Sequence, residues 1–272
     1  MSEMKAVPDK LAARLAVVVA ATLLAACNTA PKDETAGMSN EQVYSEARDE
    51  ASSGNYERAI KFYERLEGRA AGTLLSEQAQ LELAHTYWKA GEKAQALATL
   101  DRFIKLHPSS PGMDYALYLR GLVNFNENLG LFGRLAGQDL SERDQQASKD
   151  SYQSFKQLVE QYPDSVYAAD SRLRMNYIVN ALAAYEVHVA RYYFRRGAYL
   201  AAANRAQQAV QDFQESPSTE EALFIMMRCY ERMGLPQLRQ DAERVLARSY
   251  PQSKFLTQGE QQAKSKSWWI LW

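Results

Sequence analysis

The chain has 272 residues, enough for one large domain or two small ones. Its 32 Lys and Arg against 33 Asp and Glu leave a formal net charge of -1, so no global field draws nucleic acid or acidic lipid to it. A 46% hydrophobic and 24% charged composition excludes a disordered chain, and 13 Gly with 8 Pro are too few for an all-β chain that must turn every dozen residues.

The first element is an export signal. Lys5, Lys10 and Arg14 precede an apolar run over residues 15–26. That run makes roughly 18 Å of helix against a hydrocarbon core of about 30 Å, too short to span a bilayer. It ends Leu24-Ala25-Ala26-Cys27, the pattern of a bacterial lipoprotein signal. Small residues at 25 and 26 fit a narrow peptidase site, and the Cys27 sulfur accepts a diacylglyceryl group. The sequence therefore predicts a signal peptide over 1–26 and lipidation of Cys27. Asn28 stands after the cysteine, not the Asp that retains lipoproteins in the inner membrane. The predicted location is thus the outer membrane, lipid-anchored and facing the periplasm. Cys229 is the only other cysteine and lies in an apolar run, where it reads as a buried small hydrophobe.

Residues 27–39 read as the lipidated cysteine and a flexible tether, small and polar without periodicity. Ser39 with Gln42 three later makes a capping box that starts the first helix at about residue 40.

From there the chain repeats. A tetratricopeptide helix pair places small residues where its helices touch, aromatics between them and Pro after the second helix. Residues 40–69 carry Ala47, Gly54, Tyr56, Ala59 and Tyr63; residues 77–108 carry Ala84, Tyr87, Gly91, Ala96, Phe103 and Pro108. The glycines at 54 and 91 are 37 apart, near the repeat's expected period of about 34. A third unit begins at Asp114, is interrupted by a Gly-bearing inserted loop over 126–146, and resumes with Ser151, Phe155, Leu158 and Pro163. Residues 165–196 contain no Gly or Pro and predict one long helix before the fourth unit, which carries Ala190, Tyr193, Gly197, Tyr199 and Ala202. A fifth follows a Ser218…Glu221 capping box and ends at Pro251. The expected fold is all-α, a tetratricopeptide-repeat solenoid of about five helix pairs over 40–251. Residues 252–272 form a polar tail ending Trp268-Trp269-Ile270-Leu271-Trp272.

No chemistry is legible. His85, His107 and His188 stand in no metal-ligand spacing, and no phosphate loop, nucleophile elbow or Cys–His pair occurs. The expectation is a non-catalytic protein without cofactor or metal. A stacked solenoid offers extended surface to a peptide or protein instead. Arg191, Arg195, Arg196 and Arg205 cluster around Gly197 and are candidates to dock a partner carboxylate.

Several stretches resemble one family closely: Asp101-Arg102-Phe103-Ile104 through His107-Pro108, Pro111, Asp114-Tyr115 and Tyr118-Leu119-Arg120-Gly121-Leu122. Ser141-Glu142-Arg143-Asp144, Tyr192-Tyr193, Arg196-Gly197-Ala198-Tyr199 and Asn204-Arg205 complete the set. With the lipoprotein signal, the chain is similar to the BamD (ComL) family of lipoproteins in the outer-membrane β-barrel assembly machinery. The resemblance implies a scaffold with two jobs. Its N-terminal repeats receive the targeting strand of unfolded outer-membrane proteins, which maps here onto Tyr56, Tyr63, Tyr87 and Phe103. Its C-terminal repeats dock on the POTRA domains of the barrel subunit BamA, which maps onto Arg191, Arg195, Arg196, Tyr199 and Arg205. A further lipoprotein, BamC, is an additional expected partner, and nucleic acid is not. The sequence departs from the family at Gln145, where proline is expected, and in its Trp-rich tail. The competing reading is a periplasmic repeat adaptor for cell-wall enzymes.

Overall fold

The computed structural model describes residues 34–125 and 142–257. The signal peptide, Cys27, residues 126–141 of the inserted loop and the aromatic segment 268–272 lie outside them. Among the described residues the secondary structure is helical throughout: α1 (Asn40–Ser52), α2 (Tyr56–Arg69), α3 (Leu74–Lys89), α4 (Lys93–Leu106), α5 (Met113–Asn124), α6 (Glu142–Gln161), α7 (Ala168–Arg195), α8 (Tyr199–Asp212), α9 (Ser218–Arg232), α10 (Pro236–Ser249) and the short α11 (Lys254–Thr257). Successive helices pack antiparallel as five pairs, each also packed on the next.

Two local devices recur and make the pairs alike. Within a pair the turn uses a glycine at positive φ: Gly54 (84°), Gly91 (82°), Gly197 (77°) and Gly234 (71°). The next backbone N–H reaches back to the first helix each time, as Asn55 does to Glu50 O and Glu92 to Tyr87 O, both at 2.9 Å. Only glycine adopts that conformation at no steric cost. After the second, third, fourth and fifth pairs the chain turns through His107-x-x-Ser110, Tyr162-x-x-Ser165, Phe213-x-x-Ser216 and Tyr250-x-x-Ser253. In each, the backbone N–H of the serine donates to the carbonyl of the residue three before it. The serine Oγ then accepts the N–H two residues on, from Gly112, Tyr167, Ser218 and Phe255, at 3.2–3.3 Å.

This second device corrects the expected Ser218…Glu221 capping box. Ser218 is already helical, Pro217 is the N-cap residue, and the capping hydroxyl belongs to Ser216. The Ser39–Gln42 box forms reciprocally as expected.

The pairs bury alternating small and large residues. Ala47, Ala59 and Tyr63 have no exposed surface in the first pair, nor do Ala84, Ala96 and Phe103 in the second. In the fourth, Ala190, Ala202, Ala206 and Ala209 draw α7 and α8 together. Three sequence boundaries shift. Helix α6 begins at Glu142 rather than near Ser151, because its polar opening residues contain no breaker and favour helix. The long helix does not stand before the fourth pair but is its first member, packing on α6, α8 and α9 at once. The expected tether is already part of the body from residue 34. Thr35 is buried, Met38 packs on the first core cluster, and Arg69 donates to Thr35 O (3.2 Å) and Met38 O (2.7 Å).

Candidate functional site

Two surfaces gather groups that packing does not fully use. The first is the face of the first helices, the inner side of a stack of this kind. Tyr44 on α1 accepts a hydrogen bond at its hydroxyl from Gln78 Nε2 on α3 at 2.7 Å. Tyr115 and Tyr118, one turn apart on α5, meet Tyr167 at ring centroid distances of 5.6 and 4.6 Å, the latter stacked. Tyr118 Oη donates to Asp170 Oδ2 (2.8 Å), which also accepts from Arg174 Nε (2.6 Å). Tyrosines thus mark a path along this face, from Tyr44 on the first pair to Tyr115, Tyr118 and Tyr167 where the third pair meets the fourth.

Its electrostatics are distinctive. Burial raises the Glu82 carboxyl above the usual carboxylate range, and Arg48 pulls the other way. Burial and the Glu82 charge raise the hydroxyls of Tyr44 and Tyr115, keeping them protonated. Burial and nearby Lys89 hold His85 below its usual value, so it is uncharged at neutral pH. Asp170 lies lower than usual: burial raises it, but the bonds from Arg174 and Tyr118 outweigh that.

The residues expected to form a substrate pocket do not line this path together. Tyr63 and Phe103 have no exposed surface and belong to the core, because each second helix turns its large aromatic inward against a neighbouring alanine. Tyr87 is half-buried and spends its hydroxyl on Glu64 Oε1 at 2.7 Å. Tyr56 is half-buried at the start of α2. Tyr44, Tyr115, Tyr118 and Tyr167 were missed as a group. The i,i+3 spacing of 115 and 118 on a first helix was their available signal.

The second surface is the basic turn between α7 and α8, where the arginine cluster divides. Arg191 is bound to Glu221 of α9 through two bonds of 2.5 and 2.9 Å. Arg205 reaches the buried Glu186 of α7 at 3.2 Å. The first bridge ties the fourth pair to the fifth, and the second ties α7 to α8 within the fourth pair. Arg196 lies over the Tyr192 ring, 5.4 Å from its centroid, and Arg195 is exposed in the last turn of α7. Tyr199 is half-buried, edge-on to Phe194. Arg195 and Arg196, with the exposed ring of Tyr192, form the accessible part of the cluster.

No group of His, Cys, Asp and Glu that could hold a metal occurs among the described residues. None of the described helices is long and apolar enough to cross a membrane. Stacked helix pairs with two polar-aromatic faces define a repeat protein of the tetratricopeptide class. Residues 36–246 match the family model described as YfiO, outer membrane lipoprotein, and the chain belongs to that family. It is 47% identical over 254 residues to the outer membrane protein assembly factor BamD of Neisseria meningitidis serogroup A, covering 92% of this chain and 95% of that one. The same factor from Vibrio cholerae is 35% identical over 221 residues, 81% of this chain and 91% of the relative. Among solved structures, a Podosopora anserina chain of nearly identical TPR-like repeats covers 78% of this chain at 15% identity; its TM-score of 0.38 adds nothing to the helix-pair geometry above.

Several residues that carried the resemblance are clamps. Arg120 bridges Asp101 of α4 (2.7 Å) and Ser154 of α6 (2.8 Å), and Arg102 bonds Glu67 of α2 at 3.0 Å.

Proposed function

We propose that this chain is a non-catalytic assembly factor for outer-membrane proteins, anchored through Cys27 in the outer membrane and facing the periplasm. The observation that carries the proposal is 47% identity to an assembly factor, spread over nearly the whole body. On this reading the fourth pair meets the POTRA domains of a BamA-type barrel subunit through Arg195 and Arg196, with Arg191, Tyr199 and Arg205 shaping the platform beneath them. The tyrosine path over Tyr44, Tyr115, Tyr118 and Tyr167 receives an unfolded outer-membrane protein. Tyrosines suit an extended chain because they supply broad apolar area and a polar tip with few rotamers to freeze. A BamC-type lipoprotein is a further partner of the body.

Titration of the mature chain with isolated POTRA domains tests the barrel-subunit contact. Arg195→Glu with Arg196→Glu reverses two charges that the fold does not need, and a close charged contact broken this way costs about 2–5 kcal/mol. Unchanged affinity would remove the basic turn from the interface. Co-purification of tagged protein from membranes tests the wider reading. A POTRA-bearing barrel in near-equal amount supports it, and cell-wall enzymes in its place favour the adaptor.

A further inference from the structure

The two ends of the stack are finished differently. A solenoid's terminal pairs need covering, since their outer faces lack the neighbour that buries every inner one. At the N-terminal end the chain supplies its own cover: Glu34 pairs with Arg58 at 3.0 Å, Thr35 is buried, and Met38 packs on the first cluster. At the C-terminal end the cover is incomplete. Ser253 is buried, the Phe255 ring stacks on Phe224 at 4.7 Å, and Leu256 packs beside it. Leu235, Leu238 and Val245 nonetheless stay 41%, 45% and 46% exposed. Leu238 and Val245 are two helical turns apart and share one face of α10, with Leu235 in the turn just before it.

We propose that the aromatic segment 268–272 folds back over Leu235, Leu238 and Val245 and completes the cover of the last pair. The same end of the chain carries both halves of the match, an exposed apolar stripe and five consecutive apolar residues. The chain has already turned back onto the last pair at Phe255 and Leu256. The ten residues 258–267 span up to about 34 Å when extended, whereas α10 is about 21 Å long, so every point of the stripe is within reach. Tethering at that distance sets an effective concentration in the millimolar range, above what a second copy or a freely diffusing partner supplies. This inference does not depend on the assembly role.

The test uses the tail's own fluorophores. Trp88 is the only tryptophan outside the tail, so Trp88→Phe in the mature chain leaves residues 268, 269 and 272 as the emitters. The expected result is blue-shifted emission shielded from iodide, independent of protein dilution and of added phospholipid vesicles. Leu238→Lys with Val245→Lys then raises iodide quenching several-fold while the helical circular dichroism is kept. Full quenching in the parent, shielding that needs vesicles, shielding lost on dilution, or shielding unaffected by the two lysines would each overturn the proposal. An independent measurement is hydrogen exchange. Removing 258–272 speeds exchange of the α10 amides several-fold, and unaltered exchange also overturns it.

Discussion

Gly121 of α5 lies directly against the ring of Phe155 of α6: a Cβ at position 121 would stand 2.4 Å from Phe155 Cε1. The ring has no exposed surface, and Ser151 Oγ donates to the Gly121 carbonyl at 2.8 Å. The third pair therefore closes on a backbone, because the neighbouring helix brings its largest fully buried side chain to that point.

Gly121→Ala is accordingly expected to destabilise the fold by about 1–3 kcal/mol, the cost of overpacking a filled core. Urea unfolding measures it. Phe155→Leu in the same chain makes room and should recover part of the loss, so a double variant no better than the sum of the singles would contradict this account.

Arginines that look alike in sequence should separate by experiment. Arg205→Ala leaves the Glu186 carboxylate buried without its partner and should lower stability by about 1–3 kcal/mol. Arg195→Ala and Arg196→Ala touch no buried group and should leave the unfolding midpoint within about 0.5 kcal/mol of the parent. Equal effects at the three positions would contradict the division.

Acid should loosen the contact between α5 and α7. Asp170 is held below its usual value in the fold, so its contribution is present above the unfolded carboxylate range and is lost as pH falls through the lowered value. Its side chain is 43% exposed, which limits the contribution to about 1 kcal/mol or less. Asp170→Asn should flatten the acid limb of a stability–pH curve by that amount and leave the neutral plateau lower.

Cys229 should be inert in the folded chain. Burial pushes its thiol up to about 12, so almost no thiolate exists at neutral pH, and the side chain has no exposed surface. A thiol reagent should label it only in denaturant. Native labelling at the rate of an exposed cysteine would show that α9 opens.

Arg69→Ala should release residues 34–38 from the body, since its guanidinium donates to Thr35 O and Met38 O. Limited proteolysis before α1 should then quicken several-fold while the repeats stay intact.

The sequence by itself determined the features that depend on local chemistry. Glycine at 54, 91, 197 and 234 fixes the turns because no other residue takes positive φ freely. The absence of Gly and Pro over 165–196 yields the 28-residue α7, and alanines at helix contacts set the pairing. Function was legible only through resemblance, since no catalytic or metal-ligand spacing occurs in the sequence. The tertiary structure decided what each polar or aromatic side chain is used for. Tyr63 and Tyr44 are the same residue type, yet one is sealed in the core and the other lies on the open face, according to which helix of the pair carries it. Arg191 and Arg195 are one turn apart on a single helix, yet only Arg191 finds Glu221, thirty residues on. Burial and long-range pairing belong to the packed assembly of helices, and no window of sequence contains both partners.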